Sequence, residues 1–290
     1  MGRFSVVVLA VACVVTASVR AQSPRMPAER LSELASKATP KLSDGHPDLN
    51  GTWDHFGGIE FVQPQQLKDG SVCVRGCAPA PAATAPATAR PQRASASTPP
   101  PLPAGTAFPK YKPELLAKVK DLDTHQVDHD TVLKCQAPGV PRIGPPQKII
   151  QTPREVVFLY DDVSGGFFRV VATDGRPHRK DVGASYLGDS VGRWDGDTLI
   201  IETVSFNEET WLTDNGAFHT KNLKVIERLR RMGDTIQYQA VAEDPEVLAE
   251  PWTTRPQTLW VADHEIEEPA RCEDRDLEHV VDGTHHTNPR

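Results

Sequence analysis

From Lys148 to Glu268 the chain is written in one repeated unit, a β-branched and aromatic run followed by a tight turn. The seven runs are "KIIQTP", "REVVFLYDD", "GFFRVVATD", "DTLIIETVSF", "NLKVIERLRRM", "DTIQYQAVAED" and "PQTLWVADHEIEE". Between most of them stand Gly, Asp, Asn or Pro punctuators: "VSGG", "DGRP", "WDGD", "DNG" and "MGD". Runs of this composition read as strands. Short connections favour antiparallel neighbours, and no intervening stretch has the length and period of a crossover helix. The expectation is a mainly β fold, an antiparallel meander. A meander of this size hides its edges by closing into a barrel or pairing as a sandwich. The barrel is preferred because the hairpins follow one another without a Greek-key return; the sandwich is the alternative.

The rest of the chain is read around that block. "PAERLSELASKA" (27–38) places Leu31, Leu34, Ala35 and Ala38 on one face, and "KPELLAKVKDL" (112–122) does the same with Leu115, Leu116, Val119 and Leu122. Each has a proline suited to a first helical turn. "NGTW" marks a first strand near Gly51. Residues 78–106 are dominated by proline and alanine without apolar periodicity, which reads as a disordered insertion. The expected organisation is therefore a leader over 1–21, a helix and first strand over 22–77, the insertion over 78–106, the main β domain over 107–272 and a tail over 273–290.

The leader reading rests on Arg3, the apolar run "VVVLAVACVV" and the small-residue site "VRA" before Gln22. Its removal takes the formal charge from −7 to −9. The expected location is exported, periplasmic or extracellular. No later segment is long and apolar enough to read as a membrane-spanning helix. Acidic balance with scattered basic residues excludes a phosphate-binding surface, so no nucleic-acid partner is expected. Export turns attention to Cys73, Cys77, Cys135 and Cys272. Four cysteines allow three pairings, of which Cys73–Cys77 and Cys135–Cys272 are favoured. Zinc at "CVRGC" is the weaker alternative, since Cys135 and Cys272 have no near partner of the same kind.

The blocks "TDGRPHRKD", "SVGRWDGDTLIIETVSFNEETWL", "LKVIERLRR" and "AEDPEVLAEPWT", with "NGTW" before them and "CEDRDLEHVVDG" after, resemble a family of exported bacterial proteins of unassigned activity. The resemblance covers most of the chain outside the Pro/Ala insertion and implies export. It lends no catalytic residues.

Candidate chemistry is drawn from the strand faces and loops. Glu202 shares a face with Ile200, Val204 and Phe206, and Glu227 with Leu223, Val225 and Leu229. Two carboxylates among apolar neighbours could form an acid–base pair in a cavity; alternatively each meets an arginine, with Arg193, Arg228 and Arg169 available, or a tyrosine, and merely orients the packing. His178 in "TDGRPHRKD" and His219 in "GAFHTKN" sit on loops, where binding groups are often mounted. With Asp174 or Asp214 each could act as a base with an orienting carboxylate. Arg176, Trp194 and Trp211 are the expected ligand contacts. "DTHQVDHD" spaces His125 and His129 four apart like half a metal site, but lacks the glutamate of a zinc-protease helix, so it reads as an acidic helix end. "GDSVG" around Ser190 matches a nucleophile elbow by letters only, because strand rather than helix follows. No metal or cofactor is expected. The leading expectation is a small-molecule-binding barrel with a carboxylate- and Trp-lined cavity. The alternatives are a cofactor-independent lyase, isomerase or hydrolase, and a cell-envelope interaction module. Oligomeric state is left open.

Overall fold

The structure is a computed structural model that describes residues 26–55, 65–66, 72–73, 102–268 and 272. It is mainly β, with a closed nine-stranded barrel and a few short helices. The strands are β1 (Gly51–His55), β2 (Gln65–Gln66), β3 (Val72–Cys73), β4 (Lys148–Gln151), β5 (Glu155–Asp162), β6 (Gly165–Ala172), β7 (Asp189–Asp195), β8 (Thr198–Val204), β9 (Lys224–Met232), β10 (Thr235–Glu243), β11 (Trp252–Thr253) and β12 (Gln257–Val261). Around the barrel the order is β10-β12-β1-β4-β5-β6-β7-β8-β9, and the β9–β10 hairpin closes the ring. β11 extends the β12 side of β10, while β2 and β3 form a separate two-residue ladder.

All the runs expected as strands become strands, and "NGTW" opens β1. β1 pairs with β12 on one side and β4 on the other, so it is a full stave of the barrel. β7 was not among the expected runs. Gly192 and three charged residues dilute its β signal, and its pairing with β8 along its whole length supplies what its own sequence lacks.

The alternation of the strands builds the core. Trp53, Phe158, Tyr160, Leu199, Ile201, Leu229, Ile236, Tyr238 and Leu259 point inward and are almost fully buried. Together they form one contiguous apolar cluster. Burying each such side chain contributes roughly 1.5–3 kcal/mol.

One joint departs from the antiparallel expectation. β6 and β7 run parallel, and they pair only through Val171↔Ser190 and Ala172↔Val191. Parallel neighbours require a crossover of a dozen or more residues. Residues 173–188 are that crossover, so "TDGRPHRKD" is its first half and not a hairpin tip. The joint is tight: a Cβ on Gly192 would lie 2.9 Å from Val171 Cγ1. Upstream of it, from Gly165 to Val170, the β7 side of β6 carries no strand among the described residues. The barrel wall is open there.

The helices lie outside the barrel. α1 (Ala28–Ser36) buries Leu34, whose carbonyl accepts a hydrogen bond from the Asp234 N–H at the β9–β10 turn. α2 (Leu116–Thr124) follows a 3-10 turn over Pro113–Leu115 and buries Val119. Leu116, expected on its apolar face, is 53% exposed, because the 3-10 start rotates it outward. α3 (Gln126–His129) is a single turn. The Cys135–Cys272 disulfide is present, with 5.5 Å between its Cα atoms. The leader, residues 78–101, Cys77 with its expected bond to Cys73, and the tail from 273 lie outside the described residues. Residues 102–106 do not: the Pro103 carbonyl accepts from Gln239, and Thr106 bridges to Thr254.

Candidate ligand-binding site

The opening beside β6 is a cavity of about 700 Å3. Its walls are apolar and aromatic: Phe167, Phe168 and Val170 from β6, with Tyr186, Leu187 and Val191 facing them. Cys135 and Ala137 border it from the irregular segment before β4. Phe168 and Val170 are outward-facing and exposed. Arg169, Arg176, Arg179 and Asp189 supply its charges. The walls follow from the strand period. In "GFFRVVA", Phe167, Arg169 and Val171 point into the barrel while Phe168 and Val170 point out, and where the wall is open both sets border the same space.

Gly188 turns the chain from the crossover into β7. Its φ of +69° is in the left-handed region, and a Cβ there would come within 2.6 Å of the Val204 carbonyl oxygen. The rim of the cavity thus depends on a residue without a side chain.

Behind the cavity lies a buried polar cluster. The Arg169 guanidinium and the Glu227 carboxylate are both almost fully buried and form a two-pronged pair, Nη2 to Oε2 at 2.6 Å and Nη1 to Oε1 at 3.1 Å. Nη1 also donates to Tyr160 Oη, Nη2 donates to Ser190 Oγ and Thr203 Oγ1, and Tyr238 Oη donates to Glu227. Burial alone would lower the Arg169 pKa; the Glu227 carboxylate outweighs it and raises it. Burial holds both tyrosines above the usual phenol range. Among the described residues the Arg169 Nε–H has no acceptor.

The crossover is braced on the outer face of the barrel. Asp189 Oδ1 accepts from Arg179 Nε at 2.7 Å, and Oδ2 meets His178 Nδ1 at 3.0 Å. His178 Nε2 lies 3.3 Å from Glu202 Oε1. Burial pushes the Asp189 pKa up, but the hydrogen bonds from Arg179 and His178 bring it below its ordinary value. Asp174 accepts from Arg176 and Arg154, and the Arg176 bonds hold it well below the usual carboxylate range.

The expected site residues divide accordingly. Arg176 lines the cavity. Glu227 stands directly behind it through Arg169, as the arginine alternative anticipated. Glu202 does not join Glu227. In the β8–β9 ladder Ile201 faces Glu227 while Glu202 faces Ile226, so the two carboxylates lie on opposite sides of the wall. The acid–base pair is corrected on that ground: the expected face containing Glu202 is the outer one. His178 and Glu202 are brought together instead, with Asp189. Both imidazole nitrogens are committed to carboxylates, which suits a brace more than a general base.

His219 is elsewhere and buried. Its Nδ1–H donates to the Thr220 carbonyl at 2.9 Å and its Nε2 accepts from Thr210 at 2.7 Å. Burial lowers its pKa. Asp214 is not its partner, since it binds Arg142. Arg142 also takes Asp130 of the "DTHQVDHD" stretch in a two-pronged pair, with its guanidinium over the Trp211 ring. Trp211 is therefore core at 3% exposure, and Trp194 stacks on His46 at 4.6 Å. Among the described residues neither tryptophan lines the cavity, and its one carboxylate is Asp189. The expected carboxylate- and Trp-lined cavity is corrected: the inward faces of the strands form the apolar core cluster, and this cavity lies in the wall. Ser190, the letter-match to an elbow, is the second residue of β7 and hydrogen-bonds Arg169 and Thr203.

Sequence reasoning singled out neither Phe167 and Phe168 nor the tyrosines that complete the cluster. The available signal was the arginine of "FFRVV", one charge on the inward face of an otherwise apolar strand. No family model matches the chain, and neither does any curated protein or solved structure.

Proposed function

We propose that this chain is an exported binding protein for a small, mainly apolar molecule, held where the barrel wall opens between β6 and β7. The observation that carries this reading is the cavity itself. Its size falls within the roughly 300–1,000 Å3 of small-molecule sites, and it combines apolar walls with a few fixed polar groups. It lies at a break in the strand ladder, and Gly188 with the Asp189–Arg179–His178 brace fixes its rim. A preformed rim lowers the ordering cost of binding. The Cys135–Cys272 disulfide at its border supports an oxidising compartment, as does the apolar leader sequence.

The test uses N-phenyl-1-naphthylamine, an uncharged dye that brightens in apolar surroundings. The expected result is saturable brightening with the native protein that weakens in Val170→Trp. Val170 points outward at 46% exposure, so the substitution fills the cleft without entering the core. No brightening, or equal brightening in the variant, overturns the reading.

A second reading, an enzyme using His178, is favoured by one observation: Asp189, which holds its Nδ1, also lines the cavity. It requires His178 to let go of one carboxylate in the substrate complex. A pH–rate profile unchanged in His178→Ala removes it.

A further inference from the structure

Each arginine that lines the cleft already has a carboxylate partner. Arg169 is held by Glu227 at 2.6 Å, Arg176 by Asp174 at 2.7 Å and Arg179 by Asp189 at 2.7 Å. The first pair is excluded from water on both sides, so its partners cannot exchange for solvent or for a ligand ion without leaving a buried charge uncompensated. A carboxylate reaching the Arg169 guanidinium would share it with Glu227, in a setting where like charges repel strongly. The donors that a ligand can reach belong to the backbone edge beside the opening.

Asp162 and Gly165 close the β5–β6 hairpin as a pair, and pairing proceeds residue by residue from there. In an antiparallel ladder alternate residues direct their N–H and C=O groups to opposite sides. Gly166, Phe168 and Val170 therefore direct theirs away from β5, into the opening. Phe167, Phe168 and Tyr186 supply flat aromatic surface beside these donors.

We propose that the cleft takes an uncharged aromatic compound bearing a carbonyl-type oxygen, and discriminates against the corresponding acid. This rests on the ligand-binding reading above and adds the chemical class of the ligand.

The test displaces the bound dye from the intact protein with three compounds of one shape. Benzophenone carries the carbonyl oxygen, 4-benzoylbenzoate adds a carboxylate, and diphenylmethane has no acceptor. Benzophenone is expected to bind about tenfold more tightly than either of the others, the ratio that one hydrogen bond or one unfavourable charge contact produces. Irradiation of bound benzophenone is expected to attach it to Phe168, Val170 or Leu187. Equal or tighter binding of 4-benzoylbenzoate overturns the proposal in favour of an anion site. Equal binding of diphenylmethane shows that no oxygen is recognised and also overturns it, as does attachment outside the cleft. Failure of all three to displace a dye that does bind overturns the ligand class alone. Absence of dye binding overturns the binding reading itself, so the two failures are distinct.

Discussion

Glu227→Gln is the most informative single substitution in this barrel. It is nearly isosteric, so it opens no cavity; it removes one charge and turns one acceptor into a donor. Glu227 Oε2 accepts from Arg169 Nη2 at 2.6 Å, and Oε1 accepts from Nη1 and from Tyr238 Oη. An amide satisfies one of these sides only. With its oxygen kept toward Nη1 and Tyr238, its NH2 group faces Nη2, donor against donor. Arg169, 4% exposed, then has no counter-ion. Removing one partner of such a buried pair costs about 3–5 kcal/mol. With a urea dependence near 3 kcal/mol per M for a body of this size, the unfolding midpoint falls by about 1–2 M. The control is Glu243→Gln on the adjacent strand, whose pairing with Lys224 at 2.8 Å is more than a third exposed on both sides; it is expected to change stability by less than about 1 kcal/mol. Replacing both partners, Arg169→Met with Glu227→Leu, should recover most of the loss, because no charge is then left unpaired. Equilibrium urea unfolding followed by tryptophan fluorescence measures all of these. If Glu227→Gln shifts the midpoint no more than Glu243→Gln does, the pair is not isolated from water, and the charge argument for the ligand class falls with it.

Other perturbations test other parts of the molecule. Gly188→Val should destabilise the protein by at least about 1–3 kcal/mol, because it adds left-handed strain to a collision with the Val204 carbonyl; a normal melting temperature contradicts this. Cys135→Ser with Cys272→Ser removes a link across 137 residues, and loop entropy assigns it about 5 kcal/mol, readable as a lower urea midpoint that reductant no longer affects. His219 is buried and neutral with its pKa depressed, so the unfolded chain binds a proton that the folded one refuses. Folding stability should therefore be complete above about pH 6.5 and decline below it, by up to about 1.4 kcal/mol per pH unit; His219→Gln should flatten that slope. Asp189→Asn should loosen the crossover, raising amide exchange in residues 174–181 well before global unfolding. Unchanged exchange there would show that Asp189 is not its brace.

The barrel was legible because alternation survives in each individual strand. "KVIERLRRM" and "TLIIETV" are recognisable as strands letter by letter, and β-branched residues bounded by turn residues left little choice of element. What escaped was register. Nothing in "TLIIETV" says which of its two faces looks inward, because both carry apolar residues; pairing Ile201 with Glu227 settles it and sends Glu202 to the outside. β7 escaped because its strand character comes from its neighbour. The parallel joint escaped because a crossover made of loop resembles a long turn. The disulfide partner of Cys135 was legible from compartment and counting. The cavity was not, since it is a gap in hydrogen bonding between strands and leaves no mark on either strand alone.

The place of β1 has a consequence for the order of assembly. This stave, made near the beginning of the chain, sits between β4 and β12, and β12 is among the last described residues. During synthesis this early stave must wait with one edge bare until β12 has been made. Only then can the ring close. Structures whose contacts join distant parts of a chain form slowly, and a bare strand edge invites foreign pairing in the interval. The ring is therefore completed by its last stave, and truncation shortly before Gln257 should leave it open.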